Sequence, residues 1–374
     1  MSWPRVIGQL RVKEALMSAI RSGRLPHAYL FFGGEGVGKD AMAIELARVL
    51  HCERNGKEAC GECGSCTKMA SMQHPDVRLV VALPVGKSEK GDDAPLAKLT
   101  EPEIRTIQEE YRAKGENPYH RIAIPRANII KINSIREVRR ESSLSTFGTR
   151  RRVFIISQAD MMGDEASNTL LKTLEEPSGD TMLILTTAHK DALLPTILSR
   201  CQNIRFDPLS EEEIRTALVE RDGIDKDRAL LVARLANGSY TRAQDLLSDD
   251  VEGERQEVVN FIRHALANNA KVLTEDVERV FDMKDRNVSG QFLMLMLMWF
   301  RDALVLSNGG NIINLDQQED LKRFVARFPS ANLVAVLADV ERAISLLERN
   351  VYIKLVLLDL AFRLKTHILR PENP

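Results

Sequence analysis

The sequence predicts an α/β domain, built on a parallel sheet with helices on both faces, followed by two all-α regions, a lid and a collar bundle. Three observations predict this order. Short apolar runs alternate with helical stretches up to about residue 207, a glycine-rich loop joins the first run to a helix, and no convincing strand follows residue 210. Strands that alternate with helices are typical of a parallel sheet, because each crossover needs a connecting segment.

The composition is that of an ordinary globular protein. The chain has 374 residues, of which 44% are hydrophobic and 28% charged, and its net charge is −1. These values exclude whole-chain disorder, a fibrous repeat and a uniformly basic coat for nucleic acid, and the length predicts two or three domains. The longest apolar run, 292–300, is too short to cross a bilayer, and no apolar signal follows Met1. We therefore expect a cytoplasmic protein with reduced cysteines.

The α/β domain is predicted to span residues 1–208. Apolar runs predict its strands, at 29–32, 78–83, 153–156 and 182–186. Periodic apolar positions predict the helices between them, at 41–50 and 165–175. Residues 84–120 interrupt the alternation. We interpret the polar stretch 84–98 as a mobile surface insertion, followed by a polar helix at 101–114.

The remainder of the chain is predicted to be helical. Ser210 precedes three glutamates, a pattern that caps and begins a helix, so a boundary is placed near Pro208. Residues 209–248 are expected to form the lid, and residues 249–374 the collar, an oligomerisation domain. Apolar residues between Leu337 and Val351 recur at a spacing of three or four, as on a helix face that is buried against neighbours.

A glycine-rich loop follows the first strand and reads Gly33-Gly34-Glu35-Gly36-Val37-Gly38-Lys39-Asp40. In a phosphate-binding P-loop, glycines such as Gly33, Gly36 and Gly38 let backbone N–H groups surround phosphate oxygens, and the lysine reaches the terminal phosphates. The pattern expects a serine or threonine after Lys39, whose hydroxyl binds Mg²⁺, but Asp40 stands there. Both this change and Ser157-Gln158 at the end of the third strand, where an ATPase needs a carboxylate, predict a nucleotide fold that has lost hydrolysis. Whether ATP or ADP still binds is left open.

Four of the five cysteines cluster, and they are Cys52, Cys60, Cys63 and Cys66. Four soft thiolate ligands suit a closed tetrahedral zinc site, and a closed site is structural because no coordination position remains for substrate. An iron–sulfur cluster is the weaker alternative, since it also uses four cysteines.

Two further stretches resemble a known family. Residues 170–177 read LLKTLEEP, and Ser199-Arg200-Cys201 follows the fourth strand; both resemble motifs of bacterial clamp-loader ATPases, which belong to the AAA+ class. The cysteine cluster lies where those proteins carry a zinc module, and the resemblance covers residues 5–245. Because the chain lacks the P-loop hydroxyl and the acidic strand end, it resembles the clamp-loader subunits of DNA polymerase III that do not hydrolyse ATP.

The resemblance implies a subunit of a hetero-pentamer with tau/gamma and delta subunits, which acts on a sliding clamp and primer-template DNA. Arg200, with Ser199 and Cys201, would be an arginine finger acting in trans on ATP in a neighbour, a role that suits a permanently charged guanidinium. A surface ion pair is the alternative for Arg200. Arg242 lies where family members carry an arginine that senses nucleotide, although pairing with a local acid would explain it equally well.

Residues 126–152 form a basic stretch with eight basic and two acidic residues. If Ser134 caps a helix, Arg136, Arg139 and Arg140 share one face of it. Such a face suits contacts to the phosphates of primer-template DNA, although a solvated helix face is an equally good interpretation.

Two other functions compete with this one. An active AAA+ motor subunit of the tau/gamma type is disfavoured by Asp40 and by Ser157-Gln158. A zinc-module DNA-binding protein outside replication is disfavoured by the two clamp-loader motifs. The chain is thus predicted to be a subunit of the DNA polymerase III holoenzyme and not an enzyme by itself.

Overall fold

The computed structural model describes most of the chain, namely residues 3–54, 58–143, 151–177, 180–248, 251–267, 270–282, 286–310, 312, 317–348 and 351–369. The chain divides into two compact units, Met1–Gln244 and Asp245–Pro374. The boundary predicted near Pro208 lies inside the first unit, so the sheet and residues 209–244 of the lid belong to one compact body. The division into three domains stays a prediction.

The first unit is organised around a five-stranded sheet. Its strands in chain order are β1 (Ala28–Phe32), β2 (Val77–Val80), β3 (Arg152–Ile156), β4 (Thr181–Thr187) and β5 (Gln202–Arg205). They lie in the order β2-β3-β4-β1-β5, and all neighbours are parallel. Because β1 lies between β4 and β5, the loop after β1 emerges at the carboxyl edge of the sheet between two neighbours, where α/β folds bind ligands. The predicted parallel α/β sheet is confirmed.

Four strands were predicted and one was missed. The first, third and fourth are fully or almost fully buried runs, which is why continuous apolar sequence identifies them. The missed strand, β5, is an edge strand in which only Ile204 is buried. An edge strand that faces water on most of its surface has no continuous apolar run for sequence to show.

In the part of the chain that the structure describes, ten α-helices surround the sheet or form the lid. They are α1 (Leu10–Arg21), α2 (Lys39–His51), α3 (Gly64–Ala70), α4 (Glu101–Glu116), α5 (Ile132–Ser142), α6 (Asp164–Glu175), α7 (Pro195–Leu198), α8 (Glu211–Asp222), α9 (Lys226–Leu235) and α10 (Tyr240–Ser248). Ser210 caps α8 as predicted: its hydroxyl accepts from the Glu213 amide at 3.2 Å, and the Glu213 carboxylate accepts from the Ser210 amide at 2.8 Å. This reciprocal pair satisfies two amides at the start of the helix.

The insertion at 84–120 is anchored by one buried ion pair that its polar composition did not indicate, and its mobility stays a prediction. Glu89 lies in it and forms an ion pair with Lys131 at 2.7 Å, with both side chains almost completely buried. The Lys131 ammonium also donates to the carbonyl oxygens of Pro84 at 3.1 Å and Pro95 at 2.7 Å. A buried ammonium requires such partners, so the insertion folds around Lys131.

The second unit is helical in all of its described residues that have regular structure. Its helices are α11 (Val251–Leu266), α12 (Ala270–Asp282), α13 (Arg286–Ser307), α14 (Gln318–Arg327), α15 (Leu333–Glu348) and α16 (Ile353–Leu369). Trp299, Phe300 and Phe324 pack edge-on in its core, with ring centroids 4.9 to 6.0 Å apart. Of the helices described, α13 has one stretch, Ser289–Ser307, long and apolar enough to cross a membrane; 56% of it is buried within the protein, as in a core helix.

Candidate functional site

The P-loop is closely covered by other parts of the first unit. Gly36 and Gly38 have φ angles of 68° and 100°, which side-chain-bearing residues rarely adopt. A Cβ on Gly36 would lie 2.1 Å from the hydroxyl of Ser239 in the lid, and one on Gly38 would lie 2.7 Å from the hydroxyl of Tyr119 in the insertion. Both glycines are therefore required by close packing from the lid and from the insertion.

Lys39 points back onto the loop that precedes it. Its ammonium donates to the carbonyl oxygens of Gly33 at 2.8 Å and Gly34 at 2.5 Å. Burial lowers the pKa of Lys39, although the charges of Asp40 and Glu35 oppose the shift. The lysine that would reach terminal phosphates instead satisfies the carbonyl groups of its own loop.

Asp40 is the centre of a polar cluster at the start of α2. Its carboxylate accepts from the hydroxyls of Ser157 at 2.8 Å and Thr186 at 2.6 Å, and it forms an ion pair with the Lys114 ammonium at 2.9 Å. Burial alone would raise the pKa of Asp40, but Lys114 and the two hydroxyl donors outweigh it and lower that pKa from 3.8 to about 2. Asp40 is thus a stable carboxylate whose described partners are all supplied by the protein.

Lys114 comes from the last turn of α4, which extends two residues beyond its predicted end. The side chain of Lys114 is only 6% exposed, against 22% for Asp40. Its ammonium also donates to the carbonyl oxygen of His120 at 2.8 Å. The insertion therefore provides a cation to the position at which a P-loop enzyme binds Mg²⁺ through a hydroxyl.

The carboxyl end of β3 carries no catalytic carboxylate among the residues described. Ser157 donates to Asp40, and the Gln158 amide donates to the hydroxyl of Thr186 at 3.3 Å. Asp160, the first acid after the strand, accepts from Thr187 at 2.6 Å. The hydroxyl of Ser157 supports the Asp40 cluster, whereas Gln158 contributes its backbone N–H, which any residue other than proline would supply.

Arg200 lies on the surface of the first unit just after α7. Its guanidinium forms an ion pair with Glu175 at 2.8 Å and donates to the carbonyl oxygen of Thr196 at 3.0 Å, and its side chain stays 35% exposed. The flanking residues have structural contacts: the Ser199 hydroxyl donates to Thr196 at 3.1 Å, and Cys201 is buried in the core with its pKa raised by burial to about 12. The contacts with Glu175 and Thr196 thus hold the Arg200 side chain at the surface, where part of its guanidinium is accessible.

Glu175 is part of the LLKTLEEP stretch, so the two clamp-loader motifs meet at this ion pair. Sequence reasoning named both motifs but not their contact. Arg242 begins the lid helix α10, where its amide donates to the hydroxyl of Ser239 at 3.3 Å. Its role in sensing nucleotide stays a prediction.

The four clustered cysteines converge as predicted. All four sulfur atoms lie within 4.8 Å of one another. Zinc–sulfur bonds of about 2.3 Å in a tetrahedron would separate sulfurs by about 3.8 Å, and the sulfurs of Cys60 and Cys66 lie 3.9 Å apart. Residues 55–57, within the predicted zinc module 52–66, lie outside the described residues.

The surroundings of these sulfurs suit thiolates. Amides of Cys60, Cys63 and Cys66 donate to the sulfurs of Cys52, Cys60 and Cys63 at 3.3, 3.3 and 3.4 Å. Donation from the amides of Glu62 and Cys63 lowers the pKa of Cys60 to about 6, whereas burial raises the pKa of Cys66 to about 12. A bound cation is what would hold Cys66 as a thiolate, and four such donors fit a metal that prefers soft ligands.

The basic helix differs from its prediction at its start, and all three predicted arginines are exposed on it. Lys131, not Ser134, occupies the N-cap of α5, and Ser134 is buried inside the helix. Arg136 donates to the carbonyl oxygen of Gly91 at 2.7 Å and pairs with Asp92 at 2.8 Å, and its side chain stays 46% exposed. Arg140 pairs with Glu137 at 3.4 Å, and Arg139 is exposed on the same helix.

The two residues that sequence reasoning missed, Lys114 and Tyr119, come from the segment interpreted as a surface insertion. No local motif marks them, because their partners lie far away in the chain. The position of Tyr119 beside Gly38 of the P-loop becomes visible only in the folded chain.

The parallel sheet, the helical lid and a P-loop whose Lys39 and Asp40 are paired within the protein define a P-loop-type α/β domain. Comparison with known proteins places it further. Residues 8–210 match the family described as DNA polymerase III, delta subunit, and residues 258–366 match the family of its C-terminal domain. The first match covers more than half of the chain, so the chain belongs to the DNA polymerase III delta subunit family.

Curated relatives agree with this assignment. The chain is similar to the DNA polymerase III subunit delta' of Bacillus subtilis, with 29% identity over 350 residues that cover 92% of this chain and 93% of the relative. It is similar to subunit delta' of Pseudomonas aeruginosa, with 30% identity over 68% of this chain and 66% of the relative. A gamma/tau subunit of Mycoplasma genitalium is 24% identical over 79% of this chain but only 41% of that protein. The predicted resemblance to clamp-loader subunits is confirmed.

Proposed function

We propose that the chain is a delta-prime-type subunit of the DNA polymerase III clamp loader that does not hydrolyse ATP. The observation that carries the proposal is the ion pair between Asp40 and Lys114 at 2.9 Å. An enzyme that transfers a phosphoryl group needs Mg²⁺ to neutralise developing charge, and the P-loop hydroxyl is one of its ligands. With Asp40 in place of that hydroxyl and Lys114 as its cation, the metal has no place in this cluster.

The subunit would contribute Arg200 to ATP hydrolysis by a neighbouring subunit. Its guanidinium would act in trans on ATP held by a neighbouring tau/gamma subunit, where a planar charged fork stabilises the transferring phosphoryl group. Support comes from its exposure and from the base formed by Glu175 and Thr196. The ion pair with Glu175 is compatible with this role, since an exposed pair stabilises by about 1 kcal/mol or less and exchanges readily.

Other parts of the chain fit the same assembly. Four cysteines would hold one structural zinc ion, residues 249–374 would join the collar of a hetero-pentamer with tau/gamma and delta, and the arginines of α5 would approach the phosphates of primer-template DNA beside the sliding clamp. Arg139 is the better candidate for a DNA contact, because Arg136 pairs with Asp92 and Arg140 pairs with Glu137 within the chain. A bacterial replication subunit of this kind works in the cytoplasm.

Phosphate release by the purified chain, alone and with its motor subunits, tests the proposal directly. The isolated chain should not turn over ATP. In the reconstituted complex, Arg200→Ala should leave assembly intact and reduce DNA-stimulated ATPase and clamp loading, because one site loses a group that contributes on the order of 10³–10⁵ in rate. The complex total falls by less, since other interfaces keep their own fingers.

Two further variants make the result specific. Arg200→Lys should rescue poorly, because an ammonium lacks the planar fork. Arg205→Ala is the matched control, since Arg205 is an exposed arginine nearby that only pairs with Asp207 at 3.3 Å. Equal loading rates for all four complexes would show that Arg200 is an ordinary surface residue, and turnover by the isolated chain that Lys39→Ala abolishes would favour the motor subunit.

A further inference from the structure

Residues 114–120 comprise the last turn of α4 and the chain that follows it, and they lie directly against the P-loop. Lys114 brings its ammonium to the Asp40 carboxylate at 2.9 Å, and Tyr119 brings its hydroxyl to the space beside Gly38. The Lys114 contact is an ion pair, and the Tyr119 contact is close packing against the glycine backbone. Together they cover the loop at the two positions where a ligand of a P-loop needs access, the metal position and the glycine backbone.

The same segment reaches the lid. The Tyr119 ring packs edge-on against Tyr240, with ring centroids 4.9 Å apart, and the Tyr119 carbonyl oxygen accepts from the hydroxyl of Thr241 at 3.3 Å. The Tyr240 amide in turn donates to the carbonyl oxygen of Gly36 at 3.1 Å. Loop, segment and lid therefore form one closed set of contacts.

The segment is held in this position from its other side. The Arg5 guanidinium donates to the carbonyl oxygens of Gly115 at 2.6 Å and Glu116 at 2.5 Å, and the Ile7 amide donates to the Tyr119 hydroxyl at 2.8 Å. A Cβ on Gly115 would lie 2.2 Å from the carbonyl oxygen of Ala70, so α4 approaches α3 as closely as a glycine permits. The segment is thus built into the fold at several points.

We propose that residues 114–120 are an internal ligand of the P-loop, which takes the place of metal and nucleotide and fixes the lid to the loop permanently. In P-loop proteins the bound nucleotide lies between the loop and neighbouring elements, and its loss or gain can move them. Here the P-loop and the lid are connected by residues 114–120, which belong to the same chain and cannot dissociate as a nucleotide does. The lid of this subunit keeps one arrangement whatever nucleotide is present, and the loop is closed to Mg²⁺-nucleotide.

Hydrogen exchange of the isolated full-length chain tests this inference without any ATPase or Arg200 measurement, so its failure is distinct from that of the proposed function. Amides of the loop and of residues 209–244 should exchange at the same rate with and without Mg²⁺-ADP. Lys114→Met and Tyr119→Ala should each speed exchange of the lid amides by at least about tenfold, because the first frees the segment from the loop and the second frees it from the lid. Lys98→Met is the matched control, an exposed lysine of the same insertion.

Binding of a fluorescent ADP analogue with Mg²⁺ gives the second readout. The wild-type chain should show no saturable binding up to about 1 mM, which corresponds to the weakest specific affinities. If Lys114→Met fails to fold, Asp40→Ser/Lys114→Met removes both charges and replaces it in the exchange measurement. Saturable micromolar binding by the wild type, or lid exchange that is unchanged in the folded variants, would overturn the inference.

Discussion

Replacing Lys114 by methionine tests how much the internal cation stabilises the first unit. The change keeps the length of the side chain and removes its charge, so packing is largely preserved. It leaves the Asp40 carboxylate with two hydroxyl donors but without its only described ion-pair partner. We expect a substantial loss of stability, because a poorly hydrated carboxylate that loses its counter-charge keeps the whole cost of desolvation.

The size of the loss follows from the pKa of Asp40. Its fall from 3.8 to about 2 corresponds to roughly 2.4 kcal/mol of net stabilisation of the carboxylate, at about 1.36 kcal/mol for each tenfold change. Removing one partner of a fully buried pair typically costs about 3–5 kcal/mol. Because 22% of the Asp40 side chain remains exposed, some water can replace Lys114. We therefore expect the free energy of unfolding to fall by about 2–4 kcal/mol, or roughly 5–15 °C in Tm.

Tryptophan fluorescence can follow the first unit alone. The chain has two tryptophans, of which Trp3 lies in the first unit and Trp299 in the second. In a Trp299→Phe background the emission of Trp3 reports the unfolding of the first unit during heating, and circular dichroism reports both units. Lys98→Met in the same background controls for the loss of a lysine. A Tm for Lys114→Met within about 1 °C of that control would refute the argument that the pair stabilises the site.

Further predictions concern pH, metal, the presentation of Arg200 and DNA. Because the folded pKa of Asp40 is depressed, its contribution is complete above pH 3.8 and is lost as pH falls toward about 2; the stability difference between wild type and Asp40→Asn should shrink over that interval in urea titrations at several pH values. Elemental analysis should find one zinc ion per chain, and Cys63→Ser should reduce it and loosen residues 52–66 in hydrogen exchange; iron, or no metal in chelator-free preparations, would contradict this. Glu175→Gln should leave assembly intact but reduce clamp loading less than Arg200→Ala does, since it removes only the base of Arg200; an effect equal to that of Arg200→Ala would contradict a purely positioning role. Arg139→Ala should weaken binding of primer-template DNA by the complex and reduce its salt dependence, and unchanged affinity at two salt concentrations would exclude the contact.

The parts of this fold that were predicted from sequence are those with local signals. Buried parallel strands are continuous apolar runs, the Ser210 cap is followed at once by its glutamates, and four cysteines within fifteen positions define their own centre. The edge strand β5 lacked such a signal because three of its four residues are exposed. The anchor of the insertion was missed for a related reason: the polar composition indicated solvent, but Glu89 is satisfied by Lys131, a partner supplied by another segment.

The altered P-loop illustrates the difference between a missing residue and a replaced interaction. Asp40 and Ser157 were predicted to disarm the site, and the structure joins them in one hydrogen-bonded cluster completed by Lys114 and Thr186. Sequence shows that a hydroxyl is absent at position 40, but it cannot show that a lysine from a distant helix has come to the same place. Long-range ion pairs of this kind have no periodicity and no fixed spacing.

Restoring the P-loop residue alone would therefore not restore a metal site. Asp40→Ser would return the hydroxyl, but the Lys114 ammonium would still lie where the cation should bind, and two cations at that separation repel strongly when they are poorly hydrated. Removing Lys114 alone would leave a carboxylate facing the phosphates. Each residue makes the other necessary, so we expect that a metal site could be created here only by changing the P-loop and the insertion together.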